Sequence, residues 1–119
     1  MSDGKQDGVR PITPEAAWRL LEGGAAAVVD VRERAEVAAT GKIPGALLIP
    51  VGSIESKADR SSPAHDPKLM TDRDVILYCA SGSRAARAGR ILTELGYSRV
   101  YNLGGIKDWI AAGLPVDMP

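Results

Sequence analysis

One cysteine opens a segment whose residue types could support sulfur or oxyanion chemistry. Cys79 is followed by Ala80, Ser81, Gly82, Ser83 and Arg84. The serine hydroxyls can donate hydrogen bonds, the guanidinium stays charged, and the glycine permits backbone conformations closed to other residues. Such a loop would stabilise a thiolate, which is the nucleophilic form of cysteine. We therefore predict a reactive Cys79, with residues 80–84 forming an anion-binding loop.

Two other interpretations of the sequence around this cysteine were weighed. A lone cysteine after an apolar strand is often a small buried hydrophobic residue. The loop favours chemistry, because a core cysteine needs no donor-rich segment that ends in a cation. His65, the only histidine, could form a Cys–His dyad, but its surroundings rich in serine and proline predict a solvated loop histidine. If a helix terminus and Arg84 activate the thiol, no base is required.

The flanking pattern places Cys79 between a buried strand and a helix. The run from Asp74 to Cys79 is typical of a buried strand, and residues 83–95 carry an apolar stripe at helical spacing. A helix that begins at the loop presents unpaired N–H groups and the positive end of its dipole to an anion. In α/β sheets, ligands commonly bind at the carboxyl ends of the strands. The predicted elements therefore put Cys79 where a ligand is expected.

The remaining elements predict an α/β fold, with a central parallel sheet covered by helices on both faces. A first helix is predicted after Thr13, which can cap it. Further predicted elements are strands over 25–31, 46–49 and 99–103, helical turns over 33–41, and helices over 54–59 and 106–112. Short apolar strands that alternate with helices are typical of a parallel sheet. The predicted organisation is a flexible N-terminus over residues 1–11 and one domain over residues 12–119.

Composition restricts the classes of function. The 119 residues include 15 basic and 15 acidic side chains, without the basic clusters typical of nucleic-acid or membrane-surface binders. One cysteine and one histidine leave too few ligands for a transition-metal site, so no metal is expected. No apolar run approaches the ~20 residues of a membrane span. Because a lone thiol suits a reducing compartment, a cytoplasmic location is predicted.

Four segments, in order, resemble the rhodanese family, and the resemblance covers residues 12–116. They are Asp-Val-Arg-Glu at 30–33, Ile-Pro-Gly-Ala at 43–46, Cys-Ala-Ser-Gly-Ser-Arg at 79–84, and Tyr-Asn-Leu-Gly-Gly-Ile at 101–106 followed by Trp109. Two positions depart from the family pattern: Lys42 replaces a common histidine, and Val37 replaces a common aromatic residue. The resemblance implies a three-layer rhodanese-like domain.

The resemblance also implies a single-domain thiosulfate sulfurtransferase. Cys79 would accept a sulfane sulfur from thiosulfate or a related anion as a persulfide, and a thiol, a protein acceptor or cyanide would remove it. This mechanism calls for no cofactor. The backbone amides of residues 80–84 would cradle the outer sulfur, and Arg84 would help to hold the donor. Asp30 and Arg32 are interpreted as a pair that fixes the loops. Gly104, Gly105 and Trp109 are interpreted as turn and core.

Two alternative functions remain at this stage. Phosphatases and arsenate reductases related to this fold hold a tetrahedral oxyanion in a loop closed by arginine, with five residues between cysteine and arginine. Cys79 and Arg84 enclose four residues, which favours a single sulfur atom. The second alternative is a non-catalytic rhodanese-like domain that docks a partner protein. Such domains often lack the cysteine, which is present here.

Overall fold

A computed structural model describes residues 8–118 and shows one parallel sheet flanked by helices. Its strands lie in the order β1-β5-β4-β2-β3, and every neighbouring pair is parallel. The strands are β1 (Val9–Pro11), β2 (Ala26–Asp30), β3 (Leu47–Leu48), β4 (Asp74–Cys79) and β5 (Val100–Gly105). Because all strands run the same way, their carboxyl ends meet at one edge of the sheet.

The helices cover both faces of the sheet and enclose two apolar clusters. They are α1 (Pro14–Glu22), α2 (Arg34–Thr40), α3 (Ile54–Ala58), α4 (Ser83–Glu94) and α5 (Ile106–Ala111), with a short 3-10 helix over Val51–Ser53. One cluster joins alternate strand residues to α3 and α4. The other joins the opposite strand face to α1 and α5, with Trp109 fully buried and edge-on to Trp18. The molecule therefore has three layers, as predicted.

The central strands are apolar along nearly their whole length because both of their faces are covered. In β2 and β4 only the first residue of each strand, Ala26 and Asp74, is partly exposed. Strands buried on both faces read as continuous hydrophobic runs, and for this reason the sequence revealed them clearly. Burial on both sides fixes where β4 ends and so fixes the position of Cys79.

The predicted cap of α1 is confirmed, but the predicted start of the ordered domain is wrong. Thr13 caps α1, its hydroxyl oxygen accepting the N–H of Ala16 at 3.1 Å. Val9–Pro11 were placed in the flexible N-terminus, but they form β1 and pair with β5. A three-residue edge strand is too short to show periodicity, so its pairing partner decides its conformation. Residues 1–7 of the predicted flexible segment lie outside the described residues.

Across residues 8–118, no helix is both long enough and apolar enough to cross a membrane.

Candidate active site

Cys79 lies at the carboxyl end of β4, directly before the loop that leads into α4. Its side chain is fully buried. The backbone N–H of Gly82 donates a hydrogen bond to Sγ at 2.9 Å. This N–H belongs to the residue that caps the twelve-residue helix α4, so the sulfur faces the positive end of that helix. An anionic sulfur is therefore stabilised by both the amide and the helix dipole.

The loop owes its shape to Gly82 and to an asparagine on the neighbouring strand. Gly82 has φ +105°, a left-handed conformation that favours glycine. Asn102 donates from Nδ2 to the Gly82 carbonyl at 3.1 Å and accepts the Gly104 N–H through Oδ1 at 2.8 Å. Asn102 thus connects the loop to β5 and holds Gly82 in the orientation that directs its N–H to Sγ.

A bulge in β5 brings that strand against the loop. Leu77 pairs with Asn102, but Tyr78 pairs with Gly104, so the register shifts by one residue. Bulges of this kind often lie beside active sites, where they redirect side chains. Past the bulge, Gly105 packs on Ala80, and a Cβ atom at Gly105 would overlap the Ala80 carbonyl oxygen. The loop therefore rests directly on the backbone of β5.

Arg84 lies in the first turn of α4 and is held by Glu36 of α2. Its Nη1 and Nη2 donate to the two carboxylate oxygens of Glu36, each at 2.8 Å. Oε1 of Glu36 also accepts the backbone N–H of Glu33 at 2.9 Å. The hydrogen bonds from Arg84, followed by the one from Glu33, lower the pKa of Glu36 from 4.5 to about 2. The same pairing raises the pKa of Arg84, and the electrostatic interaction with nearby Cys79 adds to that rise.

A second arginine–carboxylate pair supports the edge of the sheet from within. Arg32 donates from Nε and Nη2 to the Asp30 carboxylate at 2.9 and 2.7 Å, and both side chains are buried. The guanidinium also donates to the Thr40 hydroxyl and to the Gly41 carbonyl. Although burial opposes its charge, the hydrogen bonds and negative charge of Asp30 raise the pKa of Arg32. This pair therefore ties the end of β2 to the end of α2, as the sequence analysis interpreted it.

The structure brings Gly82 into contact with Cys79, through the hydrogen bond from the Gly82 N–H to Sγ. The Arg84 guanidinium is directed to Glu36, and Ala80, Ser81 and Ser83 are exposed. Ser81 and Gly82 also border a cavity of about 640 Å³ that extends towards β1. The roles of these residues in binding and catalysis stay predictions.

Sequence reasoning gave no role to Glu36, to Asn102 or to the contact of Gly105 with the loop. Asn102 and Gly105 lie inside the recognised segment 101–106, whereas Glu36 lies in none of the four segments. The contacts of all three residues cross between elements, so no local pattern predicts them. Outside the loop, the ring nitrogen Nε2 of His65 lies 2.8 Å from the Leu69 carbonyl oxygen. Lys42 donates to the Ala46 carbonyl at 3.0 Å. Within the described part of the chain, no group of three or more His, Cys, Asp or Glu side chains could hold a metal ion.

Comparisons with known proteins agree with this geometry. A curated sulfurtransferase from Allochromatium vinosum is 40% identical over 102 residues, covering 85% of this chain and 87% of the relative. The human thiosulfate:glutathione sulfurtransferase is 37% identical over 99 residues, covering 76% of this chain and 84% of the relative.

A solved structure from Rhodopseudomonas palustris, a protein of unknown function described as a possible tyrosine phosphatase, superposes with a TM-score of 0.83. Its identity is 32%, and the match covers 92% of this chain and 85% of that one. The family model of the rhodanese-like domain matches residues 13–112. Since this match spans all the strands but β1, all the helices and the Cys79 loop, the chain belongs to the rhodanese-like domain family.

Proposed function

We propose that this protein is a thiosulfate sulfurtransferase that carries sulfur on Cys79 as a persulfide. One observation carries the proposal: the Gly82 N–H donates to Sγ at 2.9 Å, at the amino-terminal end of α4. A structural core cysteine gains nothing from a backbone donor aimed at its sulfur. An anionic sulfur does, because charged acceptors form stronger hydrogen bonds than neutral ones.

The reaction proceeds in two displacements on sulfur. The Cys79 thiolate attacks the sulfane sulfur of thiosulfate, the sulfur–sulfur bond of the donor breaks, and sulfite leaves with the electron pair. The outer sulfur then remains on Cys79 as a persulfide anion among the amides of residues 80–84. An acceptor thiolate attacks this outer sulfur and restores the Cys79 thiolate. Two separate half-reactions predict ping-pong kinetics.

The relatives support a thiol as the acceptor in the cell. The human relative is named for transfer to glutathione, and a Bacillus subtilis relative, 31% identical over 83 residues, is named a putative sulfur carrier protein. A lone thiol also suits a reducing compartment, so we place the reaction in the cytoplasm.

Intact-mass measurement tests the proposal directly. The purified protein is incubated with thiosulfate, and a gain equal to one sulfur atom is expected. Cyanide should then remove that mass and yield thiocyanate, while Cys79→Ser should gain nothing. No gain from any sulfane donor, or an equal gain in Cys79→Ser, would exclude the persulfide mechanism.

A phosphatase is the second candidate, favoured by the likeness to the Rhodopseudomonas palustris structure described as a possible tyrosine phosphatase. Its test is a pair of activities measured on one preparation, sulfur transfer from thiosulfate and hydrolysis of an aryl phosphate. Because four residues separate Cys79 from Arg84, the ring of amides should fit one sulfur atom, and sulfur transfer alone is expected. Phosphate release that depends on Cys79, without sulfur transfer, would reverse the assignment.

A further inference from the structure

Two arginines near the carboxyl edge of the sheet, Arg32 and Arg84, are each paired with a carboxylate. The Arg32 guanidinium donates two hydrogen bonds to Asp30, and the Arg84 guanidinium donates two to Glu36. Arg84 is the only charged residue among residues 80–84. Within the loop itself, the paired Arg84 leaves the amides at the amino-terminal end of α4 to attract an anion, with a partial charge of roughly half a unit. The net positive charge that the site presents to an anion is therefore much smaller than the number of its arginines suggests.

The Glu36 carboxylate is held in place even when no sulfur donor is bound. Besides Arg84, it accepts the backbone N–H of Glu33 at 2.9 Å, so α2 positions it independently of α4. Its lowered pKa keeps it ionised throughout the neutral range. The side chains of Arg84 and Glu36 are 31% and 35% exposed, so an incoming anion can reach the pair from solvent. Any sulfur donor that binds the Arg84 guanidinium must therefore lie close to the fixed negative charge of Glu36.

We propose that Glu36 sets the class of sulfur donor, favouring sulfane donors with one negative charge, such as organic persulfides and thiosulfonates, over the thiosulfate dianion. This inference rests on the proposed sulfur transfer at Cys79. Coulomb energy is proportional to the donor's charge, so Glu36 repels a dianion about twice as strongly as a monoanion at the same place. Thiosulfate remains a substrate, but one disfavoured by its second charge.

Thiosulfate and methanethiosulfonate form a matched pair of donors for the test, since a methyl group replaces one charged oxygen. Both transfer a sulfane sulfur to Cys79, one releasing sulfite and the other methanesulfinate. Thiocyanate formation with cyanide as the common acceptor gives kcat and KM for each. The variants are Glu36→Gln, which keeps a side chain able to accept from Arg84, and Glu22→Gln, which removes the same charge from an exposed site on α1.

Glu36→Gln should raise kcat/KM for thiosulfate about tenfold, mainly through KM, and for methanethiosulfonate only about threefold, because the logarithm of the effect scales with charge. High salt should shrink both gains, since screening weakens interactions at an exposed pair. Glu22→Gln should leave kcat/KM unchanged for both donors. If Glu36 had a purely structural role, the substitution would instead change kcat/KM for both donors by the same factor, or lower kcat.

If Glu36→Gln changed kcat/KM by the same factor for both donors, or lowered it for thiosulfate, the inference would be overturned. The proposed sulfur transfer would be unaffected by that result. Failure of the proposed function has a different signature, because then neither donor adds the mass of one sulfur to the native protein. Urea unfolding of Glu36→Gln, compared with the native protein, checks that the variant is folded in the assay. The two failures are thus distinguishable on the same preparations.

Discussion

Replacement of Gly105 by alanine tests whether the backbone of β5 sets the shape of the Cys79 loop. Gly105 has φ −108° and ψ 149°, which alanine adopts without strain. The added methyl group, however, would overlap the Ala80 carbonyl oxygen and would lie 3.0 Å from the Ala80 carbonyl carbon. Comfortable separations between such atoms are about 3.5–4.0 Å. Because the overlap with the oxygen is the tightest contact, the first residue of the loop must move by about 1 Å or more.

The displacement should reduce sulfur transfer far more than it reduces stability. A misplacement of about 1 Å in a catalytic arrangement can cost ~100-fold in rate, so Gly105→Ala should lower kcat/KM for thiosulfate by about tenfold to a hundredfold. Overpacking of this kind costs about 1–3 kcal/mol of unfolding free energy, which leaves a stable domain partly destabilised rather than unfolded. The loss of activity should thus occur in folded protein.

Thiocyanate formation and urea unfolding, measured on the same samples, separate the two effects. Gly52→Ala is the matched control, because Gly52 has no positive φ and a Cβ there would meet nothing within 4 Å. It should retain native activity. If Gly105→Ala turned over thiosulfate as fast as Gly52→Ala, the loop would adapt freely, and the argument that β5 fixes its shape would be refuted.

Three further predictions concern the charged pairs. Arg84→Ala should lower kcat/KM for thiosulfate by about ten- to a hundredfold, because a charged hydrogen bond contributes about 1.5–3 kcal/mol and Glu36 is left unneutralised. Near-native turnover would show that the backbone amides of the loop bind the donor without Arg84. Arg32→Met should reduce the urea-unfolding free energy by about 3–5 kcal/mol, because Asp30 remains buried without its partner; a loss below 1 kcal/mol would contradict this. Glu36 has a folded-state pKa of about 2, below the ordinary 4.5, so its stabilisation is present above pH 4.5 and disappears as the pH falls to 2. Because the pair is so exposed, the unfolding free energy of the native protein should exceed that of Glu36→Gln by at most about 1 kcal/mol. Acid titrations followed by circular dichroism should show this difference vanish as the pH falls from 4.5 to 2.

Much of the fold could be predicted because burial leaves a local trace in the sequence. The strands β2 and β4 read as apolar runs, and α4 as an amphipathic stripe, since each element must cover or be covered by its neighbours. β1 left no such trace, because it has three residues and pairs only with β5. The last strand was predicted to end at residue 103 but continues to Gly105, since the bulge restores pairing with Tyr78 and Cys79.

The sequence by itself determined the chemistry offered by the loop: the types and order of residues 79–84, and their place between a buried strand and a helix. These depend on neighbours along the chain, whose spacing is visible in one dimension. Only the tertiary structure decided what surrounds the loop. Glu36 reaches Arg84 across 48 residues, and Asn102 reaches Gly82 across 20. Such contacts exist because parallel strands bring their carboxyl ends to one edge, and no local pattern records which side chains meet there.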